Sequence, residues 1–115
     1  MAGTFELYKD RAGEFRFRLK AANGEIILAS VGYKAKSGAK NGIASVVKNA
    51  SHPGRFEKKA TGKGRPFFVL KAGNQLVIGT SEVYESDRAR DAGVASVSKS
   101  APDAKTEDKT LQPQT

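Results

Sequence analysis

The stretch Phe15-Arg16-Phe17-Arg18-Leu19-Lys20-Ala21-Ala22-Asn23-Gly24-Glu25-Ile26-Ile27-Leu28 decides the fold. From residue 15 to 20 every odd position is apolar and every even one is basic. Side chains alternate across a strand, so this period of two buries Phe15, Phe17 and Leu19 and leaves Arg16, Arg18 and Lys20 outside. Asn23-Gly24 favours a tight hairpin turn, because both residues tolerate positive φ. A returning strand follows from Glu25 to Ser30. Upstream, Phe5-Glu6-Leu7-Tyr8-Lys9 alternates in the same way and connects through the turn Asp10-Arg11-Ala12-Gly13. Three short strands with short turns predict an antiparallel meander. Downstream the period changes: Ala39, Ile43, Val46 and Ala50 mark one stripe of a helix from Lys36 to Asn49, flanked by Val47.

The pattern occurs twice. Residues 5–50 lie over residues 56–101 without a gap, matching Phe5 with Phe56, Gly13 with Gly64, Phe17 with Phe68, Tyr33 with Tyr84 and Gly42 with Gly93. In the second copy Ser86 is a plausible N-cap and Asp87 lies in the first helical turn, where the helix dipole favours an acid. Val94, Val97 and Ala101 continue the stripe, with Arg90 in place of Ala39. Each mid-helix glycine costs about 1 kcal/mol relative to alanine. Gly42 with Ser45 and Asn49, and Gly93 with Ala89, Ser96 and Ser100, form strips of small residues that predict a closely packed neighbour from helix or sheet. A half of about 50 residues buries too little surface to stand alone. The expected organisation is one domain over residues 1–110, with repeat 1 at 4–51 and repeat 2 at 55–102.

The 115 residues carry a formal net charge of +8. Residues 1–50 hold nine Lys/Arg and four Asp/Glu, residues 51–101 nine and five, and residues 102–115 two and three. The basic excess therefore sits in the repeats and points to an anionic partner, nucleic acid first. The absence of cysteine excludes disulfides, thiolate metal sites and cysteine nucleophiles. No apolar run is long enough to span a membrane. The N-terminus lacks the apolar stretch of a secretory signal, so a cytoplasmic location is expected.

Catalytic constellations are not apparent. His52, the sole histidine, cannot build a histidine-based metal site alone. Gly62-Lys63-Gly64 lacks the full phosphate-loop pattern and aligns with the turn Arg11-Ala12-Gly13. Asp10 with Glu14, and Asp87 with Asp91, are acid pairs at spacings common on surfaces. The expectation is a protein that is not an enzyme and uses no metal and no cofactor.

Phe-Arg-Phe-Arg-Leu-Lys-Ala-Ala followed by Asn-Gly-Glu-Ile, then Tyr33 and Gly-Ile-Ala-Ser-Val at 42–46, resembles the YegP-like family of small bacterial proteins. The resemblance covers nearly the whole chain, in both copies. It implies an α+β fold of two tandem β-β-β-α(-β) units about a pseudo-twofold axis. These units share one antiparallel sheet carrying two helices and exchange their last strands. It also implies a final strand within residues 104–110, leaving 111–115 as a flexible tail, and a monomer that is an internal pseudo-dimer rather than an obligate oligomer. Copy one departs from the pattern at Ala35, where copy two has Ser86. The resemblance implies no catalytic residues.

Differences between the copies nominate the sites. Lys34, Lys36 and Lys40 align with Glu85, Asp87 and Asp91, an inversion of charge at the helix entrances. Lysines around free N–H groups at a helix start suggest an anion site. Pairing of the basic helix with the acidic one across the axis is the structural alternative, worth at most about 1 kcal/mol per exposed pair. On the sheet, Arg16, Arg18 and Lys20 align with Phe67, Val69 and Lys71. Cations for phosphates and an aromatic ring for a base, extended by Tyr8, resemble a platform for single-stranded nucleic acid. The expected function is a non-catalytic module binding an anionic ligand through these cations. The alternative is a protein-interaction or self-association module using Phe67 and Val69 as an apolar contact surface.

Overall fold

A computed structural model of the chain describes residues 3–111, with side chains to residue 110. Copy one forms strands β1 (Thr4–Lys9), β2 (Phe15–Lys20) and β3 (Ile26–Ala29) and helix α1 (Lys36–Asn49). A 3₁₀ turn, Pro53–Arg55, leads into β4 (Phe56–Ala60), β5 (Pro66–Lys71), β6 (Val77–Thr80) and helix α2 (Asp87–Ser100). A last strand, β7 (Lys105–Asp108), runs into a second 3₁₀ turn, Lys109–Leu111. The expected tail at 111–115 lies outside the described residues apart from the backbone of Leu111.

The strands form one sheet in the order β4-β5-β6-β3-β2-β1-β7. Two antiparallel meanders meet edge to edge, β3 pairing with β6 at Ala29 and Thr80. β7 joins β1 in parallel, Phe5 opposite Thr106 and Leu7 opposite Asp108. The sheet is therefore mixed rather than wholly antiparallel. Gly3 lies against Ser100 at the end of α2, so β1 and β7 start from the same end of the sheet. The strand exchange is also one-sided. Residues 54–57, which align with β7, are divided between the Pro53–Arg55 turn and the start of β4, so copy one has no strand left to give.

Both helices cover one face of this sheet. Phe5, Leu7, Phe17, Leu19, Phe68 and Leu70 point into that layer and are fully buried, with Val46 and Val97 from the helices. Where β3 and β6 leave the ladder, a serine replaces the missing backbone partner: Phe17 N–H donates to Ser30 Oγ and Phe68 N–H to Ser81 Oγ, both at 2.9 Å. Each hydroxyl donates onward to the next carbonyl, Val31 or Glu82. Buried backbone N–H groups need such partners. The arrangement delivers Tyr33 and Tyr84 beneath the helices, each stacked on the phenylalanine of its own copy.

The tyrosines account for the mid-helix glycines. A methyl group at Gly42 would stand 2.6 Å from Tyr33 Oη and 2.8 Å from Phe17 Cε2; at Gly93 it would collide with Tyr84 Oη and Cζ. The small-residue strip is thus filled by the chain's own rings. The helices touch near their C-terminal ends, where Ser98 Oγ donates to the Ala50 carbonyl at 2.8 Å. The hairpin turn between β5 and β6 carries one strained residue that its counterpart between β2 and β3 lacks. Gln75 holds φ 71° where Gly24 holds 86°, a conformation costing a non-glycine residue about 1–2 kcal/mol.

Candidate functional site

The alternation that buries one side of each strand sets the composition of the other. On the face away from the helices, register places Glu57, Val69, Thr80, Ala29, Arg18, Glu6 and Glu107 in a row across the sheet. On either side of this row lie two further pairs, Lys59 with Phe67 on one side and Arg16 with Tyr8 on the other, because β2 and β5 run antiparallel. The sequence-nominated Arg16, Arg18, Lys20, Phe67 and Val69 all belong to this face. Lys34, Lys36 and Lys40 lie elsewhere, at the entrance of α1.

Each nominated cation of the stripe has a counterion. Arg16 Nε stands 2.6 Å from Asp10 Oδ2, Arg18 Nε 2.7 Å from Glu6 Oε1 and Lys20 Nζ 3.2 Å from Glu6 Oε2. The Arg18 bond, with help from Lys20 and against burial, holds the Glu6 carboxyl below the usual range. The Arg16 bond does the same for Asp10. Arg18 also sits over the Tyr8 ring, 4.8 Å from its centroid. These partners orient the guanidinium groups and neutralise part of their charge. Cations still outnumber acids on this face: Arg16, Arg18, Lys20, Lys59, Lys71 and Lys109 stand against Glu6, Asp10, Glu57 and Glu107.

The apolar pair does not behave as a unit. Val69 is 5 % exposed and offers little contact surface, whereas Phe67 is half-buried. Lys71 Nζ lies 2.6 Å from Glu57 Oε1, repeating the Lys20–Glu6 pair of the other half.

The charge inversion at the helix entrances resolves into contacts with strands. Lys36 Nζ pairs with Asp108 Oδ2 of β7 at 2.5 Å, and Asp91 Oδ1 pairs with Lys58 Nζ of β4 at 3.0 Å. Arg90 bridges Asp87 and Asp91. The helices meet at their far ends, so none of these pairs joins one entrance to the other. Ser86 caps α2, accepting from Ala89 N–H at 3.1 Å, while Ala35 gives α1 no side-chain cap.

The Lys36 bond, followed by that from Thr110, lowers the Asp108 carboxyl from 3.8 to about 2. A depressed carboxyl contributes stability above its unfolded value and loses it as pH falls through the folded one. β7 should therefore loosen between pH 4 and pH 2. Amide protection of residues 105–108, measured against the intrinsic exchange rate at each pH, should fall over that window, and Lys36→Ala should remove most of that fall. Protection that ignores pH there would show that the pair does not hold β7.

The sequence alone missed Glu6, Asp10 and Asp108 as partners. Alternation puts Glu6 on the same face as Arg18, a usable signal once the meander register is known. Asp108 carried none, because β7 pairs with a strand about a hundred positions away. Among the described residues no group of three or more His, Asp or Glu is placed to hold a metal ion, and no helix is long and apolar enough to cross a membrane. Gly62-Lys63-Gly64 is a hairpin turn, Gly64 N–H donating to the Thr61 carbonyl.

Comparison with known proteins agrees with the repeat and the fold. A family model described as a domain of unknown function (DUF1508) matches twice, over residues 10–57 and 63–108. A UPF0339 protein encoded in the ptx operon 5′ region of Stutzerimonas stutzeri is 60 % identical over 105 residues, 91 % of this chain and 95 % of that one. YegP of Escherichia coli K12 is 48 % identical over 97 residues, 84 % and 88 % of the two chains. The solution structure of a UPF0339 protein from Shewanella oneidensis superposes with a TM-score of 0.92 at 45 % identity, covering 97 % and 95 %. That of E. coli YegP superposes at 0.91 with 43 % identity, covering 98 % and 97 %. With two family matches spanning both repeats, and relatives aligned over nearly their whole length, the chain belongs to the DUF1508 family of UPF0339 proteins that includes YegP.

Proposed function

We propose that this protein is a non-catalytic, cytoplasmic binding module whose uncovered sheet face takes an anionic ligand, with single-stranded nucleic acid the class it suits best. One observation carries the proposal: an open sheet face holds more cations than acids and presents two half-buried rings, Tyr8 and Phe67, on opposite sides of its central row. Phosphates would exchange with the carboxylates now held by Arg16, Arg18 and Lys20, and bases would stack on the rings. The partly neutralised stripe favours modest, salt-sensitive and sequence-tolerant affinity.

The test is binding of random single-stranded DNA and RNA at low and physiological salt. Binding should appear at low salt and weaken steeply as salt rises. The double variant Arg16→Glu with Arg18→Glu should abolish it, and Phe67→Ser should weaken it several-fold. Absent binding at low salt, or binding untouched by the double variant, would rule the proposal out.

A further inference from the structure

The sheet ends differently at its two margins. β1 is flanked by β7; beyond β4, among the described residues, there is no strand. β7 seals copy one. Phe5 and Leu7 are fully buried behind it. Its Thr106 and Asp108 face the helix side beside Leu7, Lys40 and Ile43. In copy two the matching residues lie open. Phe56, the counterpart of Phe5, is half-buried, and Lys58, the counterpart of Leu7, is exposed. Asp91 and Val94, counterparts of Lys40 and Ile43, line a mainly apolar groove of about 600 Å³ with Pro53, Ala95, Ser98 and Lys99. The groove and the free β4 edge together repeat the seat that β7 fills on the other half.

Charge identifies what this second seat accepts. In the filled seat an acid of the strand, Asp108, meets a lysine of the helix, Lys36. The matching helix residue in the open seat is Asp87, whose side chain is 80 % exposed and is bridged at 3.4 Å by Arg90 of its own helix. A β7 strand from a second copy would set Asp108 against Asp87, like against like. The seat selects the reverse pattern: a small or apolar side chain where Thr106 sits, and lysine or arginine where Asp108 sits. Edge lysines ordinarily deter strand pairing, but Lys58 reaches inward to Asp91 rather than across the edge.

We propose that β4 and the α2 groove receive, by parallel strand addition, an extended segment of a partner protein in which an apolar or small residue is followed two positions later by a basic one. Main-chain hydrogen bonds to the edge supply affinity, and the alternate side chains in the groove supply specificity.

A synthetic peptide of residues 102–110 carrying Thr106→Val and Asp108→Lys serves as the probe, with the unaltered peptide for comparison. Titrated to millimolar concentration into the isotope-labelled full chain, the altered peptide should shift amide signals of residues 56–60 and 91–98. It should bind several-fold more tightly than the unaltered one, and an Asp87→Lys protein should reverse the preference. Absent shifts, shifts confined to other residues, or equal affinity for the two peptides would overturn the proposal. So would concentration-dependent self-association in sedimentation that covers the same amides, since that result makes a second copy the occupant.

Discussion

Replacing Phe17 with alanine should lower stability by about 3–5 kcal/mol, and the same change at Phe68 should cost less. Both rings are fully buried. Each stacks on a tyrosine, Phe17 at 6.3 Å from Tyr33 and Phe68 at 6.2 Å from Tyr84. Each also meets a phenylalanine edge-on, Phe5 at 6.0 Å or Phe56 at 5.7 Å. The surroundings of that third ring separate the two. Phe5 is sealed beneath β7, while Phe56 borders the open edge of the sheet. The cost of a deleted ring depends on how far the site can collapse, and a free edge collapses more easily than one held on both sides. Loss at Phe17 should appear as a melting temperature lower by roughly 12–40 °C, from about 4–8 °C per kcal/mol for a domain near this size. Urea unfolding of both variants gives the comparison directly. A larger loss at Phe68 than at Phe17 would show that β7 does not tighten copy one.

Gly93→Ala should destabilise the protein by about 1–3 kcal/mol, against the trend of helix propensity. In an exposed helix the change would gain about 1 kcal/mol. Here the added methyl would stand 2.6 Å from Tyr84 Cζ and 3.1 Å from Phe68 Cε1. Neither ring can retreat easily: the two are stacked on each other with planes 11° apart. The decisive measurement is a double-mutant cycle with Tyr84→Leu. In that background Gly93→Ala should cost far less, giving a coupling energy of about 1 kcal/mol or more. A stabilising single variant would show that α2 shifts freely over the sheet, and the glycine would then need another account.

Much of this architecture was legible from local pattern. The period of two over residues 15–20, the Asn23-Gly24 turn and the helical stripe through Ala39, Ile43 and Val46 each report which side of an element is buried. The bounds of α1, Lys36–Asn49, follow that stripe. Repetition reinforced the pattern, because Phe5, Phe17 and Tyr33 recur with the same mutual spacing as Phe56, Phe68 and Tyr84. The glycines were legible as close approaches, although not the identity of what approaches: Tyr33 and Tyr84 arrive from nine positions earlier along the chain, and only the serine-capped bends of β3 and β6 aim them.

The candidate site was legible in part. Alternation placed Arg16, Arg18, Lys20 and Phe67 on one face. It did not reveal that Val69, at the same parity as Phe67, is buried, nor that Glu6 and Asp10 hold the two arginines. Burial on an open face depends on what neighbouring strands carry, and that is set by register between segments rather than by the segment itself.

By itself, then, the sequence determined the units: strand, turn, helix and their duplication, all consequences of short-range sterics and of which side chains leave water. Tertiary structure alone decided how the margins close. β7 reached β1 because α2 ends beside the start of that strand. Among the described residues no strand reached β4, because the segment that could have done so had become β4. One half of a near-symmetric chain is thereby sealed and the other left with an open edge. That asymmetry arises because a single covalent chain must spend the same residues as the end of one repeat and the beginning of the next.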